Sequence, residues 1–456
     1  MSTTTAASAT YRCDLGEGLI KRWSTVEDTE NIAQLCGKVF RDSEEEPFNP
    51  RAISRVYRMM REDFPFMGPG DYALVEDTRK AGNPIVACTC LWRRSWEYEG
   101  IPFGLGQPEF VATDPAYRNR GLIRALFEMV HARSEAEGHL AQAITGIPHF
   151  YRQFGYEYVL ELEGRRLTYV SLIPKARDNA PDAYTLRAAT ANDIPRVMEL
   201  YNQQRSGSKV WAVATERFWQ YQTENVDNPL TSGKDLCVQV LTDQTGAVQG
   251  YLLVAARRHS SNLSVWALNI APGVNWQAVV EPLLRSLQSY GMQIPVVQPE
   301  VGPLREISFV LGSTHPVYDA LGQTLAPYFE LPYAWYVRVP NVLAFLQHIA
   351  PALERHLADS TAAYYTGELK LDFYRRGVRM VFEKGRLAAL EPWRAPLYKN
   401  TTDAQCPELV FLQLLFGYRS LDELRYAFPD IQVQSESAGL LKALFPLQHS
   451  WVMPLE

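Results

Sequence analysis

The sequence has few cysteines, no long apolar run and no excess of basic residues. Its six cysteines are scattered over 456 residues, which is too sparse for a disulfide framework, and we expect reduced thiols without a metal or redox role. No stretch approaches the ~18 apolar residues of a membrane span, and the opening STTTAASAT lacks the apolar core of a signal peptide. Lys and Arg number 45 against 51 Asp and Glu, with no basic tract, which argues against a nucleic-acid partner. These absences predict a cytoplasmic protein without membrane or nucleic-acid contacts.

The composition is that of a globular protein, with 46% hydrophobic and 21% charged residues. A length of 456 residues corresponds to about three domains. The polar, proline-containing stretch 174–182 predicts a linker, and the stretch 332–351 predicts a second boundary. Strand-like runs alternate with helical spacing in the first two segments, and the third combines a hairpin pattern with helices. We therefore predict an α/β (α+β) fold.

The first two segments open with the same pattern. An Arg-x-x-Thr-x-x-Asp sequence precedes apolar residues at helical spacing in both, at a constant offset of 165 positions. Its members are Arg22, Thr25 and Asp28, and then Arg187, Thr190 and Asp193. The repeat indicates two copies of one αβ domain. The alternative is a helix-start pattern that arises twice without duplication.

The most informative local pattern is EFVATDPAYRNRGLIRALFEMV at 109–130. It predicts a strand, a short turn and a helix that begins near Gly121, where glycine lets a ligand approach the backbone closely. The N–H groups of a helix start, the helix dipole and three nearby arginines suit a pyrophosphate. These arginines are Arg118, Arg120 and Arg124. A nucleotide-containing cofactor is one interpretation, and an ordinary helix start with a solvated basic cap is the other.

A second motif follows at 148–158, PHFYRQFGYEY, and with it the sequence resembles the GNAT superfamily of N-acetyltransferases. Those enzymes bind acetyl-CoA through an R/Q-x-x-G-x-G/A loop. Arg118, Gly121 and Ile123 match it, although Ile123 replaces the usual glycine or alanine. The resemblance implies acetyl-CoA as cosubstrate and no metal. It places the cofactor contacts on Val111, Ala112, Thr113, Arg118, Asn119, Arg120, Gly121, Leu122, Ile123 and Arg124.

The size and layout narrow the resemblance to the Eis (enhanced intracellular survival) acetyltransferases. Those proteins join a catalytic GNAT domain, a second GNAT copy without a cofactor loop, and a sterol-carrier-protein-like C-terminal domain. Placed on this chain, the resemblance implies domains at 12–175, 183–345 and 346–456. The stretch 269–276, NIAPGVNW, stands where the second loop would be and lacks its spacing of a basic residue and a glycine. The resemblance also implies a homo-oligomer, and a hexamer would fit it.

Acetyl transfer from a thioester to an amine requires a free amine, a stabilised oxyanion and a proton for the departing thiolate. The resemblance gives the role of general acid to Tyr151. It gives the role of general base to the terminal carboxylate of Glu456, whose side chain is a second candidate. The apolar, proline-containing end LFPLQHSWVMPLE independently predicts a docked tail. The alternatives are that Tyr151 is only a packed aromatic and that the tail only stabilises the fold.

The resemblance implies primary amines as acceptors, aminoglycoside-like or lysine-like, on a small molecule or a peptide. One set of acidic residues would give the acceptor site a negative field, unless it is simply solvated: Asp42, Glu44, Glu45, Glu46, Glu97 and Glu99. Three aromatic residues would wall the pocket or belong to the core: Phe40, Trp92 and Trp96. A different class of function is a lipid or apolar-ligand carrier built on the C-terminal domain, with an inactive acetyltransferase fold. A third is an assembly scaffold without turnover.

Overall fold

A computed structural model describes residues 5–176, 181–224, 234–297, 302–396 and 401–454. These residues form three β-sheets flanked by helices, so the predicted α/β class is confirmed. Within the described ranges, no helix combines the length and the hydrophobicity that crossing a bilayer requires.

The first set of elements leads from the N-terminus to the second sequence motif. Its strands are β1 Arg12–Gly16, β2 Leu19–Trp23, β3 Tyr72–Asp77, β4 Ile85–Tyr98, β5 Ile101–Thr113, β6 Ala141–Ile144 and β7 Glu157–Leu162. Its helices are α1 Thr29–Val39, α2 Pro50–Met59 and α3 Leu122–Ala136. Short 3₁₀ turns at Val26–Asp28, Pro115–Tyr117 and Phe150–Phe154 punctuate them.

The second set repeats this alternation. Its strands are β8 Arg165–Tyr169, β9 Tyr184–Ala188, β10 Val210–Ala212, β11 Leu236–Asp243, β12 Val248–Ala255, β13 Asn262–Ile270, β14 Glu306–Phe309, β15 Tyr328–Glu330 and β16 Tyr333–Arg338. Its helices are α4 Ile194–Asn202, α5 Glu216–Thr223, α6 Trp276–Gln293 and α7 Val317–Leu325.

Two sheets exchange one strand with each other. The first sheet runs β1-β2-β3-β4-β5-β6-β16-β7, with β10 paired to β4, and the second runs β15-β8-β14-β13-β12-β11-β9. The strand that follows β7 along the chain therefore lies in the second sheet, and the strand that follows β15 lies in the first. Apart from this exchange, β2-β3-β4-β5-β6 corresponds to β9-β11-β12-β13-β14, and β1 and β10 have no counterpart in the second sheet. The pairs β5–β6 and β13–β14 are both parallel, and each exchanged strand pairs antiparallel on both sides. The domain boundaries stay predictions.

The repeated sequence pattern forms the same local structure twice. Thr25 and Asp28 make a capping box at the first helix start, and Thr190 and Asp193 make one at the second. In each, the arginine of the preceding strand donates a hydrogen bond of 2.8 Å to the aspartate. The pattern thus joins β2 to α1 in the first unit and β9 to α4 in the second.

Helices cover both faces of the first sheet. Leu74 and Cys88 face the buried side of α1 and α2, whereas the neighbouring Val75 and Ala87 face α3. This alternation is what the two-residue period of a strand dictates. Trp92 and Trp96 are each 1% exposed. Of the two interpretations, pocket wall or core, these residues therefore belong to the core.

The third sheet has five strands in the order β19-β18-β17-β20-β21. Its strands are β17 Gly367–Asp372, β18 Gly377–Glu383, β19 Arg386–Trp393, β20 Ala404–Gln405 and β21 Gln432–Val433. The helices around it are α8 Val342–His348, α9 Ala350–Ala358, α10 Glu408–Leu415, α11 Leu421–Ala427 and α12 Ser435–Leu444. The predicted Lys-Gly hairpin turn joins β18 to β19, with positive φ at Lys384 and Gly385.

Candidate active site

Helix α3 begins with an uncapped N-terminus. Its N-cap is Gly121, which has a φ of 73° and no side chain to accept a hydrogen bond. The N–H of Ala125 donates to the carbonyl of Gly121 at 3.1 Å and makes the first bond of the helix. The N–H groups of residues 122–124 precede that bond, so they point out of the helix start. Together with the helix dipole they form a site for an anion.

The three predicted arginines surround this helix start and are exposed. Arg120 lies 3.5 Å from Glu17. Arg124 donates to the Oε1 of Gln153 at 3.1 Å and lies over the ring of Phe154. Arg124 therefore connects the helix start to the 3₁₀ turn that carries the second motif.

Strand β5 is distorted where it approaches this helix. Thr89 of β4 opposes two residues of β5, and the bulge places Phe110 at a φ of 51°. β5 pairs with β6 only at Leu105 and Gly106. Beyond these positions, within the described part of the chain, the β6 side of β5 has no strand partner, so the two strands diverge and leave a groove.

The predicted contact residues Val111, Ala112 and Thr113 occupy the end of β5 along this groove. The Oγ1 of Thr113 is buried and has no hydrogen-bond partner among the described residues. A buried hydroxyl usually has one. The open strand edge and this hydroxyl fit an extended polar ligand that leads from the bulge to the start of α3.

Tyr151 lies in the 3₁₀ turn and is 3% exposed. Its ring stacks on Phe127 of α3, with centroids 5.8 Å apart. Its hydroxyl makes no hydrogen bond to any residue that the structure describes. Burial, and then the charge of Glu109, raise the pKa of Tyr151 well above its usual value. The phenol is therefore neutral at physiological pH and keeps its proton available.

A cluster of tyrosine hydroxyls holds the loop that precedes Tyr151. Tyr158 accepts a hydrogen bond from the backbone N–H of His149 at 2.9 Å and contacts the hydroxyls of Tyr333 and Tyr336. These two donate to carbonyls of residues 146–147. Because Tyr333 and Tyr336 belong to β16, the exchanged strand supplies one wall of this site.

The acidic residues proposed for an acceptor field have other partners. Glu97 pairs with Arg205. Glu99 accepts from His356 at 2.7 Å and lies 3.7 Å from Lys209, so it joins the first sheet to later parts of the chain. The remaining acidic residues, Asp42 and Glu44–Glu46, lie in an exposed loop after α1. These ion pairs therefore do not support a negative field from Glu97 and Glu99.

The tail is docked as far as the structure describes it. Trp451 forms a parallel bridge with Glu161 of β7, and the Nε1 of Trp335 donates to the carbonyl of Val452 at 3.0 Å. Val452 and Met453 are buried. Glu456, the predicted general base, lies outside the described residues.

Sequence reasoning missed a carboxylate near Tyr151. Glu109 lies at the bulge of β5, where its carboxylate accepts from the Nε2 of Gln107 at 2.8 Å. Its charge contributes to the raised pKa of Tyr151. The signal was present, because Glu109 opens the first motif two positions before Val111.

Residues 22–159 match a family model described as "Acetyltransferase (GNAT) domain". The fold is similar to that of a GCN5-related N-acetyltransferase from Anabaena variabilis, with 14% identity, a TM-score of 0.62, and coverage of 95% of this chain and 99% of the other. Eis1 from Mycobacterium abscessus has 13% identity and a TM-score of 0.58, with coverage of 94% of this chain and 98% of the other. Saccharomyces cerevisiae N-myristoyltransferase with bound myristoyl-CoA has 11% identity and a TM-score of 0.50, with coverage of 74% of this chain and 87% of the other. No curated protein matches the sequence. At these identities the solved structures show a shared fold and nothing of the substrate.

Proposed function

Because the chain contains a GNAT acetyltransferase domain at residues 22–159, we propose that it transfers an acetyl group from acetyl-CoA to a primary amine, by direct attack in a ternary complex. One observation carries the proposal: the uncapped start of α3, the groove along β5 and the buried Tyr151 adjoin one another. An N-acetyltransferase is what the domain match and the similar folds support. The choice of acetyl-CoA as cosubstrate and of a primary amine as acceptor goes beyond that match and rests on this arrangement.

The binding of acetyl-CoA is assigned to the residues of the groove. The N–H groups of residues 122–124 and the side chains of Arg118, Arg120 and Arg124 hold the pyrophosphate. The open edge of β5 from Val111 to Thr113 pairs with the extended pantetheine arm. A CoA thioester is also the ligand named for the yeast N-myristoyltransferase structure with the similar fold.

The reaction consists of one bond formed and one bond broken. The amine nitrogen attacks the carbonyl carbon of the thioester, and the carbon–sulfur bond breaks. Tyr151, whose phenol is protonated at physiological pH, donates its proton to the departing sulfur. The amine loses one proton to a base, so an amide and free CoA result.

We assign the base to Glu109 among the described residues, because its carboxylate lies at the bulge of β5 and its charge contributes to the raised pKa of Tyr151. The terminal and side-chain carboxylates of Glu456 remain the alternative. Two variants distinguish these candidates for the base. Glu109→Gln removes the first, and a chain without Leu455 and Glu456 removes the second.

The layout of two GNAT-like units and a sterol-carrier-protein-like unit is part of the proposal. The matching sheet successions and the two capping boxes support the tandem arrangement. The apolar cavity beside β17, lined by Phe373, Phe411 and Leu441 among others, has a volume of about 20 Å³. A ligand pocket requires ~300 Å³ or more, so this cavity does not support the carrier function. A homo-oligomer remains a prediction that light scattering on the full chain would test.

The decisive experiment measures CoA thiol release from acetyl-CoA against a panel of primary amines. The intact protein is compared with Tyr151→Phe, with Glu109→Gln and with the form lacking Leu455 and Glu456. We expect amine-dependent release that falls in Tyr151→Phe and Glu109→Gln. If release falls in the truncated form but not in Glu109→Gln, the tail is the base. If folded protein binds acetyl-CoA but releases no CoA with any amine, the proposal is overturned.

A further inference from the structure

Two neighbouring cavities lie between α2 and the start of β11. One measures about 20 Å³ and the other about 180 Å³. They share Asp235, and their lining contains five Lys or Arg side chains beside this single carboxylate. The six residues are Arg51, Arg55, Arg58, Lys234, Arg257 and Asp235.

Helix α2 turns a row of arginines toward these cavities. Arg51, Arg55 and Arg58 follow one another at spacings of four and three residues, so they share one face of the helix. The Nη2 of Arg51 lies 3.1 Å from the carboxylate of Asp235, and the Nη1 of Arg55 lies 3.6 Å from it. The second unit of the protein thus meets the first across a cationic surface.

The second unit contributes cations of its own. The Nη2 of Arg257 lies 2.9 Å from Asp235, and its side chain is only 1% exposed. Burial raises the pKa of Asp235, but its hydrogen bond with His259 and the surrounding arginines bring it below the usual value, so this carboxylate stays ionised. Burial lowers the pKa of Lys234 to about 8. The lining of the two cavities is therefore rich in cationic side chains that are held by partners within the protein, and partial burial strengthens their attraction for an anion.

Polar groups complete the lining of the larger cavity. Ser260 precedes β13, and Asn262 and Ser264 follow at alternating positions of that strand. Hydroxyl, amide and guanidinium groups together are the donors that carboxylates and phosphates bind. A polycationic molecule would meet repulsion from the same surface.

The cationic surface reaches the reaction site through Arg55. Its guanidinium carbon lies 5.6 Å from the ring centroid of Phe110, the residue at the bulge of β5. Phe110 and α2 pack into the same core cluster, whereas the start of α3 belongs to another. Arg55 thus connects the cavities to the bulge of β5, beside Glu109.

We propose that the acceptor is an amine that also carries an acidic group, a carboxylate or a phosphate, which binds at the surface formed by Arg51, Arg55 and Arg257. The inference rests on the proposed acetyltransferase function. It replaces the aminoglycoside-like acceptors that the sequence predicts, because those are polycations.

The test uses matched pairs of amines that differ only in the acidic group. Lysine is compared with cadaverine, and glucosamine 6-phosphate with glucosamine, while spermidine serves as the polycation. The full chain, Arg51→Gln and Arg196→Gln are assayed for kcat/KM. Arg196 is a matched control, because it is a partly exposed arginine on α4 outside the cavities. Isothermal titration of lysine and glucosamine 6-phosphate provides a readout that does not depend on turnover.

We expect the acidic member of at least one pair to react with a kcat/KM at least tenfold higher, and Arg51→Gln to remove that advantage through KM. Arg196→Gln should keep it. A preference for cadaverine or spermidine, or equal losses for both members of each pair, would overturn the inference while leaving the acetyltransferase function intact.

Binding separates the two proposals further. If no amine is acetylated but Arg51 is required for binding of an acidic probe, the anion site stands and the proposed function fails. If the full chain binds neither probe, and binding appears only after removal of residues 455–456, the cavity serves the chain's own carboxylates and the inference is wrong.

Discussion

The two units of the protein differ most at the start of their long helices. In the first, Gly121 leaves the start of α3 uncapped among three arginines. In the second, the side chain of Asn275 accepts a hydrogen bond from the N–H of Gln277, so α6 caps itself. The loop before it, residues 271–275, contains no basic residue. One fold thus offers an anion site in one unit and closes it in the other through a single capping side chain.

The same contrast holds for the tyrosines that follow. Tyr151 and Tyr318 both lie shortly after the last parallel strand of their unit. The hydroxyl of Tyr318 donates to the carbonyl of Phe309 at 2.8 Å and accepts from the N–H of Leu311 at 3.1 Å. It is committed to the backbone, whereas the Tyr151 hydroxyl is bonded to no described residue. Comparable positions therefore carry a structural group in one unit and a group available for chemistry in the other.

The largest effect should come from removing these two hydroxyls. Tyr151→Phe should lower kcat by about 10²-fold or more, since it deletes the proposed general acid. Tyr318→Phe should leave kcat unchanged but reduce stability by about 1–3 kcal/mol, because it leaves a buried N–H and a buried carbonyl unpaired. Steady-state kinetics and thermal unfolding of both variants measure this difference. Equal effects of the two variants on kcat would refute the contrast.

The next effect concerns the two glycines of the helix starts. Gly121 and Gly273 have φ values of 73° and 84°, and nothing lies within 4 Å of a Cβ built at either. Alanine should therefore strain both to a similar degree, about 1 kcal/mol. Only Gly121→Ala should weaken acetyl-CoA binding, by about tenfold, because only there does the new Cβ face the proposed pyrophosphate site. Titration calorimetry with acetyl-CoA would decide, and a similar loss in Gly273→Ala would count against an assignment of the site to α3.

Local chemistry is what the sequence could predict. The helix start at Gly121, the Lys384-Gly385 turn and the two capping boxes each depend on a few neighbouring residues, and each appears where its motif places it. The resemblance to GNAT enzymes, which the family model matching residues 22–159 supports, could be recognised for the same reason, because its motifs are contiguous.

Features assembled from distant segments were beyond the sequence. The exchange of β8 and β16 depends on pairing between strands far apart along the chain, which no local pattern encodes. The cationic cavities combine α2 with residues 234–235 and Arg257. Glu97 and Glu99 looked available in the sequence, but their partners come from segments that only the fold brings near them.

A moderate effect is expected from the arginine that links the two motifs. Arg124→Gln should weaken acetyl-CoA binding about fivefold at low salt, because it removes a charge-assisted contact. The difference from the intact protein should shrink as ionic strength rises, since Arg124 is exposed and its field is screened. Titrations at two salt concentrations, with Arg196→Gln as control, measure both changes. An Arg124→Gln effect that is independent of salt would point to packing against Phe154 instead.

The smallest effect tests the two capping boxes against each other. The side chain of Arg22 is 19% exposed and bridges Asp28 and Glu76, and the side chain of Glu76 is 5% exposed. The side chain of Arg187 is 43% exposed and binds Asp193. Arg22→Gln should therefore cost about 2 kcal/mol, since it weakens the support of two buried carboxylates. Arg187→Gln should cost less, about 1 kcal/mol, because Arg187 is the more exposed arginine and supports one buried carboxylate instead of two. Thermal unfolding checks the order. If the two losses are equal, the bridge to Glu76 adds nothing, and the first unit is held to its helix no more firmly than the second.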